Sequence, residues 1–253
     1  SERSRGLGDV YKRQINKLID NGVKVNTKVC EDDAKELNKA FFHKYKHTKP
    51  YIRLKVGVSI DGKIADEKKE SKWITSKESR NFVQELRAEV NGIITTSNTV
   101  ISDNPKMNIR DNQVLKKTIS QPALIILDSK LRVPTKANIF KTDRLIIIVA
   151  DIKYASSTPL RIYKDNVVIK YVKTKNSKIN LKDIYAIAKT YHLDDLLVES
   201  GSIFSATLLS ANAVDEIIYL VAPKILGSKG LTFSGINPCL LYTSDAADEC
   251  SGV

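Results

Sequence analysis

Cysteine, tryptophan and methionine are scarce in this chain: three, one and one among 253 residues. Cys239 and Cys250 lie beyond residue 238, which leaves Cys30 alone in the body of the chain. A disulfide framework and a cysteine-based zinc cluster are thereby excluded, and no metal site is expected. Long apolar runs are missing too. Leu145–Val149 is typical, far below the ~20 residues that a membrane span needs. The N-terminus lacks the charged-then-apolar order of a secretory leader, so a cytoplasmic protein is expected. Acidic residues are the minority sign, 29 against 41 Lys+Arg, for a net charge of +12. That excess is scattered. It forms no basic block and accompanies no aromatic-rich RNA-binding motif, which argues against a nucleic-acid partner. It suits phosphorylated ligands equally well. A composition of 42% hydrophobic and 28% charged residues is ordinary for a globular protein, and the length allows one large α/β domain or two small ones.

The two ends read differently from the rest. Asp9–Gln14 is DVYKRQ, which GAT GTG TAT AAG AGA CAG encodes. The reverse complement of that DNA, read out of phase, encodes CLLYT followed by Ser, and Cys239–Ser244 is CLLYTS. One element read in opposite directions accounts for both ends and matches a transposase-type library adapter. Residues 1–14 and 239–253 are therefore expected to be non-native and are set aside from fold reasoning.

The remaining chain alternates helical and strand patterns. Glu31–Tyr45 carries apolar residues at helical spacing, and Thr48-Lys49-Pro50 reads as a linker. Tyr51–Ile60 alternates and reads as a strand, followed by a tight turn at Asp61-Gly62. Ile74–Val90 reads as a helix opened by Thr75, with Glu78 completing a capping box. Gly92–Thr96 is a buried strand and Ser97–Ile101 a short helical turn. Ala123–Leu127, Leu145–Ala150, Asn166–Val172, Asp195–Glu199 and Glu216–Val221 are further strands. Leu181–Tyr191 is a helix amphipathic through Ile184, Ile187 and Ala188, and Gly201–Leu209 is another helix. Alternating strands and helices predict an α/β fold with a mostly parallel sheet covered on both faces. His43, His47 and His192 match no motif and are expected at the surface.

Five segments carry the functional signal, in this order: LKVGVSIDGKIA (Leu54–Ala65), SKWITS (Ser71–Ser76), TSNTVISDNPKMNIR (Thr96–Arg110), LVESGSIFSATLL (Leu197–Leu209) and DEIIYLVAPKILG (Asp215–Gly227). Together they resemble the reductase domain of the bifunctional riboflavin-biosynthesis deaminase/reductase family, over residues 47–238. Upstream, residues 15–46 resemble the tail of that family's deaminase domain and its linker. A zinc deaminase needs a His and two Cys ligands with a catalytic Glu; no H-x-E pairs with a P-C-x-x-C here, so deamination is not expected of this chain. The resemblance implies a dihydrofolate-reductase-like α/β fold, a homodimer, and further strands after Pro238, whose loss would leave a sheet edge exposed. It implies reduction of a phosphoribosylamino-uracil to its phosphoribitylamino form, with NADPH delivering hydride to the anomeric carbon. Such a reaction asks for alignment, a proton source and charge complementarity.

On this resemblance Lys55, Asp103 and Glu199 form the catalytic group. From the residues alone, Lys55 is equally a snorkelling lysine and Asp103 a turn-former before proline. Glu199 ends a hydrophobic strand, where open α/β sheets bind ligands and where a lone carboxylate is hard to bury. The cofactor segment is Gly201, Ser202, Ile203, Phe204, Ser205, Ala206 and Thr207, whose small residues at a helix start let backbone N–H groups reach phosphate, although it is no G-x-G-x-x-G fingerprint. Gly57, Trp73, Thr99, Asp103 and Ser129 are the other implied cofactor contacts, with core packing as the alternative for Trp73. Implied substrate contacts are Ser71, Arg87, Met107, Arg110 and Glu199. The arginines suit bidentate phosphate recognition, with a solvated helix face as the alternative for Arg87. Position 107 is usually leucine in the family. Asp61-Gly62 reads as a structural turn. A dihydrofolate or other pteridine reductase of the same fold is the alternative enzyme, and a basic nucleic-acid-binding module is the non-enzyme alternative. Sequencing the genomic locus across both ends is expected to show native codons diverging before residue 15 and after residue 238; a locus encoding DVYKRQ and CLLYTS natively would refute the adapter reading.

Overall fold

The structure, a computed structural model, describes residues 12–27, 29–67, 76–156 and 164–232. Helix α1 covers residues 12–20, α2 Glu31–Leu37 and α3 Lys39–Lys46. There follow β1 (Tyr51–Ser59), β2 (Lys63–Ala65), α4 (Lys77–Glu89), β3 (Gly92–Thr96), α5 (Ser97–Asp103), α6 (Asn112–Leu115), β4 (Ala123–Leu127) and β5 (Ile146–Asp151). The chain continues through β6 (Val167–Val172), α7 (Leu181–Thr190), β7 (Asp195–Val198), α8 (Ser202–Ser210), β8 (Glu216–Ala222) and β9 (Leu231–Thr232).

Seven strands form one sheet in the order β6-β5-β4-β3-β7-β1-β8, and every pairing in it is parallel. The sequence explains why. ALIIL in β4 and IIIVAD in β5 are unbroken apolar runs, buried at every position, as strands covered on both faces must be. Ile52, Leu54, Val56, Ile94, Ile125 and Ile147 pack under α7 and α8 on one face, with Ile184, Ile187 and Ala188 of α7 pointing in as their spacing predicted. Ile93, Leu124, Ile126, Ile146 and Ile148 build the second core with Leu86 of α4. Gly92 is required at the start of β3, because a Cβ there would lie 2.6 Å from Leu196 Cδ2. β8 stands at one end of the sheet with Tyr219 and Val221 exposed. Among the described residues no helix is long and apolar enough to cross a membrane.

Several boundaries differ from the sequence reading for local reasons. Glu31–Tyr45 is two helices rather than one. Asn38 breaks it, its side-chain amide donating to the Ala34 carbonyl at 3.0 Å, a competition with the helix ladder that Asn is prone to. α4 is capped by Ser76, whose hydroxyl accepts from the Ser79 N–H, whereas Thr75 lies outside the described residues. His43 is buried rather than at the surface, stacked on His47 with centroids 4.2 Å apart and 3.7 Å from the Asp215 carboxylate. β2 and β9 were not anticipated, since strands of three and two residues show no period; they pair as a small antiparallel ribbon. The Asp61 carboxylate anchors that ribbon. It accepts from the Ser59 hydroxyl and from the N–H groups of Leu226 and Gly227, which confirms Asp61-Gly62 as a structural turn, with Gly62 at φ 72°.

The face of β1 under α4 is charged. Arg53 bonds Asp195 of β7 through Nε at 3.1 Å and Nη2 at 2.9 Å, and Glu89 of α4 at 2.9 Å. Burial pushes the Asp195 carboxyl up to about 6, against the pull of Arg53. Removing the cation strands a buried anion, so Arg53→Leu is expected to lose ~3 kcal/mol of stability at pH 8. Asp195 has its folded pKa above its unfolded one. The stability it contributes is therefore complete below about 4 and is lost as pH rises through the folded value, which moves higher still without Arg53. Urea melts should show a deficit that grows from pH 5 to pH 8; a constant deficit would contradict this assignment.

Candidate functional site

The C-terminal ends of β1, β3 and β7 open onto a cavity of about 510 Å³, floored by Lys55 and Glu199, walled by α5 and the start of α8, and overhung by Ala65 and Leu231 of the small ribbon. This is the crevice where open parallel sheets bind ligands, and its size falls within the range of small-molecule sites.

Two consecutive features place the charged floor. Side chains of β1 alternate, so Arg53, Lys55 and Gly57 share the α4 face while Ile52, Leu54 and Val56 enter the other core. Leu54 pairs with Val198, and the next residues, Lys55 and Glu199, run side by side with Lys55 Nζ 3.1 Å from Glu199 Oε2. From α4 comes Arg87, only 7% exposed. Its Nε and Nη2 hold the two Glu199 oxygens at 2.7 and 3.0 Å, and its Nη1 donates to the Asn108 carbonyl at 3.0 Å. A fork-to-fork pair of this kind is among the stronger side-chain contacts. Burial alone would raise the Glu199 carboxyl, but Arg87 and Lys55 outweigh it and hold the group well below the usual carboxylate range. Glu199 is thus an ion at any physiological pH, and Arg87 is neither a solvated surface charge nor free for other partners on its Nε–Nη2 edge.

The loop after α5 supplies the next wall. Asp103 ends α5, accepts from the Ser102 hydroxyl at 2.7 Å and lines the cavity. Met107 sits in the left-handed region at φ 46°, its side chain buried in the core beneath and also lining the cavity. Arg110 lies outside the cavity lining. Burial and the repulsion of Arg87 lower its guanidinium pKa, with Glu199 opposing, so it belongs to the same electrostatic neighbourhood.

The start of α8 closes the other side. Gly201 is its N-cap, without a side-chain capping bond, and a Cβ added there would meet nothing within 4 Å. Glu199 therefore does not cap this helix. Gly201, Ser202, Ile203 and Phe204 line the cavity together with Gly57 and Thr99. Ser205 turns inward, its hydroxyl donating to the Gly201 carbonyl. Ala206 and Thr207 face a neighbouring depression shared with Lys178. Ser129 stands at the end of β4, outside the cavity, its carbonyl accepting from the Asp151 N–H. Ser71 and Trp73 lie outside the described residues. The sequence reading missed Asn98, Ser102 and Ser200 as lining residues; all three stand next to residues it did single out. Among the described residues no cluster of His, Cys, Asp and Glu could hold a metal.

Comparison with known proteins agrees with this architecture. The model of the RibD C-terminal domain matches residues 50–240. The riboflavin biosynthesis protein RibD of Aquifex aeolicus is 35% identical over 228 residues, covering 88% of this chain and 60% of that protein. A 5-amino-6-(5-phosphoribosylamino)uracil reductase of Buchnera aphidicola is 34% identical over 181 residues, covering 68% of this chain and 83% of that protein. The chain spans about three fifths of the length of the RibD relatives it matches. Acinetobacter baumannii RibD superposes with a TM-score of 0.75 at 29% identity, over 90% of this chain and 62% of that one, so the sheet has the dihydrofolate-reductase-like fold of the RibD reductases. On a match that takes in the whole described sheet and both walls of the cavity, the chain belongs to the RibD C-terminal domain family.

Proposed function

We propose that this chain reduces 5-amino-6-(5-phosphoribosylamino)uracil to the phosphoribitylamino compound with NADPH. The observation that carries the reading is the ion triad of Lys55, Glu199 and Arg87 at the floor of a cavity whose wall is an uncapped helix start. The relative named for this reductase activity supplies the substrate.

The residues fit the cofactor. Gly201 leaves open space where a side chain would stand, and the first N–H groups of α8 have no capping partner, an arrangement that accepts phosphate. Gly201–Phe204, Gly57 and Thr99 would hold NADPH, which supplies hydride when bound. The remaining requirement is a proton for the sugar nitrogen once the ring has opened. Glu199 is ionised and cannot give one. The Lys55 ammonium has three N–H donors, one engaged by Glu199, and is the group that provides it. Glu199 orients that ammonium, and Arg87 fixes Glu199. Asp103 flanks the substrate, and Arg110, just beyond the cavity lining, favours its phosphate through the positive field it shares with Arg87. Lys55, Arg87 and Arg110 outnumber Glu199 and Asp103, a surplus that suits an anionic ligand.

Residues 15–46 are read as the closing helices of the domain that precedes the reductase in the bifunctional relatives, consistent with similarity covering more of the chain than residues 50–240. Residues 1–14 and 239–253 are read as adapter-derived. Lys12, Arg13 and Gln14 are exposed. A cytoplasmic homodimer completes the proposal.

Lys55→Met keeps Glu199 paired with Arg87 and removes only the donor. It is expected to lower turnover by ~10²–10⁴ while NADPH affinity by fluorescence titration stays within a few-fold; near-normal turnover would remove Lys55 from the chemistry. Asp103→Asn should reduce both turnover and cofactor affinity, because its carboxylate borders both ligands. Catalytic efficiency is expected to favour NADPH over NADH, and equal values would defeat the cofactor assignment.

A further inference from the structure

The segment from Asn104 to Arg110 has no secondary structure of its own, yet five of its seven carbonyls and two of its N–H groups are held by side chains from elsewhere. Asn138 takes Asn104, its Nδ2 donating to the Asn104 carbonyl at 3.0 Å. Gln121 takes both sides of Ile109, accepting from its N–H at 2.8 Å and donating to its carbonyl at 2.7 Å. Gln84 of α4 accepts from the Arg110 N–H at 2.8 Å, and Arg87 holds the Asn108 carbonyl. The middle of the segment depends on one residue. Arg144, just before β5, donates through Nη2 to the Lys106 carbonyl at 2.9 Å and through Nη1 to the Met107 carbonyl.

Arg144 is an unusual choice for a structural strut. It is 6% exposed, and burial lowers its guanidinium pKa to about 10. Among the described residues it has no carboxylate within ion-pair distance, and its Nε has no acceptor. A buried, unpaired cation costs folding free energy that an apolar side chain would not. Its partners are two carbonyls, one belonging to Met107, whose left-handed backbone turns that residue into the cavity wall.

We propose that Arg144 is a positioning residue for substrate recognition. By tying the Lys106 and Met107 carbonyls down, it sets the wall between Asp103 and Arg110 at the height the substrate requires. Its unneutralised charge adds to the positive field that Arg87 and Arg110 present around Glu199. This inference rests on the reductase reading for its substrate but not for the loop it orders.

The test compares Arg144→Met and Arg144→Lys with Ile187→Ala, a core variant on α7. In the 253-residue chain, Arg144→Met is expected to raise the KM for the phosphoribosylamino-uracil at least tenfold, with kcat and NADPH affinity changed by less than threefold. Its Tm should stay near or above the wild-type value. Arg144→Lys, which keeps the charge and one carbonyl bond, should recover part of the KM. Ile187→Ala should lower Tm and leave KM alone. Hydrogen exchange at the Ile109 and Arg110 amides should accelerate at least tenfold in Arg144→Met, with β4 and β5 unchanged. An unchanged KM, or a KM rise no larger than that of Ile187→Ala, would overturn the proposal. If the wild-type chain bound NADPH yet failed to reduce this uracil, the reductase reading would fall. The exchange measurement would then decide, unchanged Ile109 and Arg110 amides refuting the role of Arg144 and accelerated ones sustaining it.

Discussion

Glu199 is a carboxylate driven into the floor of the cavity and kept ionised there by two cations, and the other walls of the site are arranged around that fact. A buried anion is tolerable only when it is paired and hydrogen-bonded. Pairing it requires Lys55 from β1 and Arg87 from α4 to converge on the end of β7. That convergence ties α4 to the sheet, places the Lys55 ammonium at the cavity floor, and leaves the third donor arm of Arg87 to catch the loop at Asn108. The geometry of the charged floor and the packing of α4 are thus one constraint.

The same face carries a second charged rung closer to the N-terminal ends of the strands, where Arg53 meets Asp195, Glu89 and Glu216. The two rungs differ in balance. Around Arg53 the carboxylates outnumber the cation, and the group is closed off at the base of the sheet. Around Glu199 the cations outnumber the carboxylate, and the group opens onto the cavity. An excess of positive charge at the open end suits an anionic ligand. The two walls differ as well. α8 offers backbone N–H groups from a regular helix, while the Asn104–Arg110 wall is irregular and held by side chains.

Much of this was legible in the sequence. β4 and β5 announced themselves as unbroken apolar runs, and α7 through the spacing of Ile184, Ile187 and Ala188. Three of the five motif segments brought Lys55, Gly57, Thr99, Asp103, Met107, Glu199 and Gly201–Phe204 to one cavity. What stayed hidden were partnerships across long stretches of chain. Arg87 read as a phosphate ligand or a surface charge because nothing local shows that Glu199, 112 residues away, occupies its Nε–Nη2 edge. Arg144 sits beside an apolar strand and carries no motif, and Gln84 and Gln121 are ordinary polar residues until the loop they hold is seen. Gly201–Thr207 read as one cofactor segment, but the helical turn sends Ser205 inward and Ala206 and Thr207 to a neighbouring surface, because only one face of a helix can border a cavity. His43 carried no signal of burial, which comes from tertiary packing against Tyr51 and Asp215.

The central claim is that Glu199 acts through the Lys55 ammonium and not as an acid itself. A double-mutant cycle on turnover, using Lys55→Met, Glu199→Gln and the pair, tests it most directly. If the two residues form one unit, Glu199→Gln should cost far less turnover in the Lys55→Met background than in the wild type, since no ammonium remains for Glu199 to orient. Losses that multiply, with the double variant slower by the product of the single effects, would show two independent contributions and contradict the account.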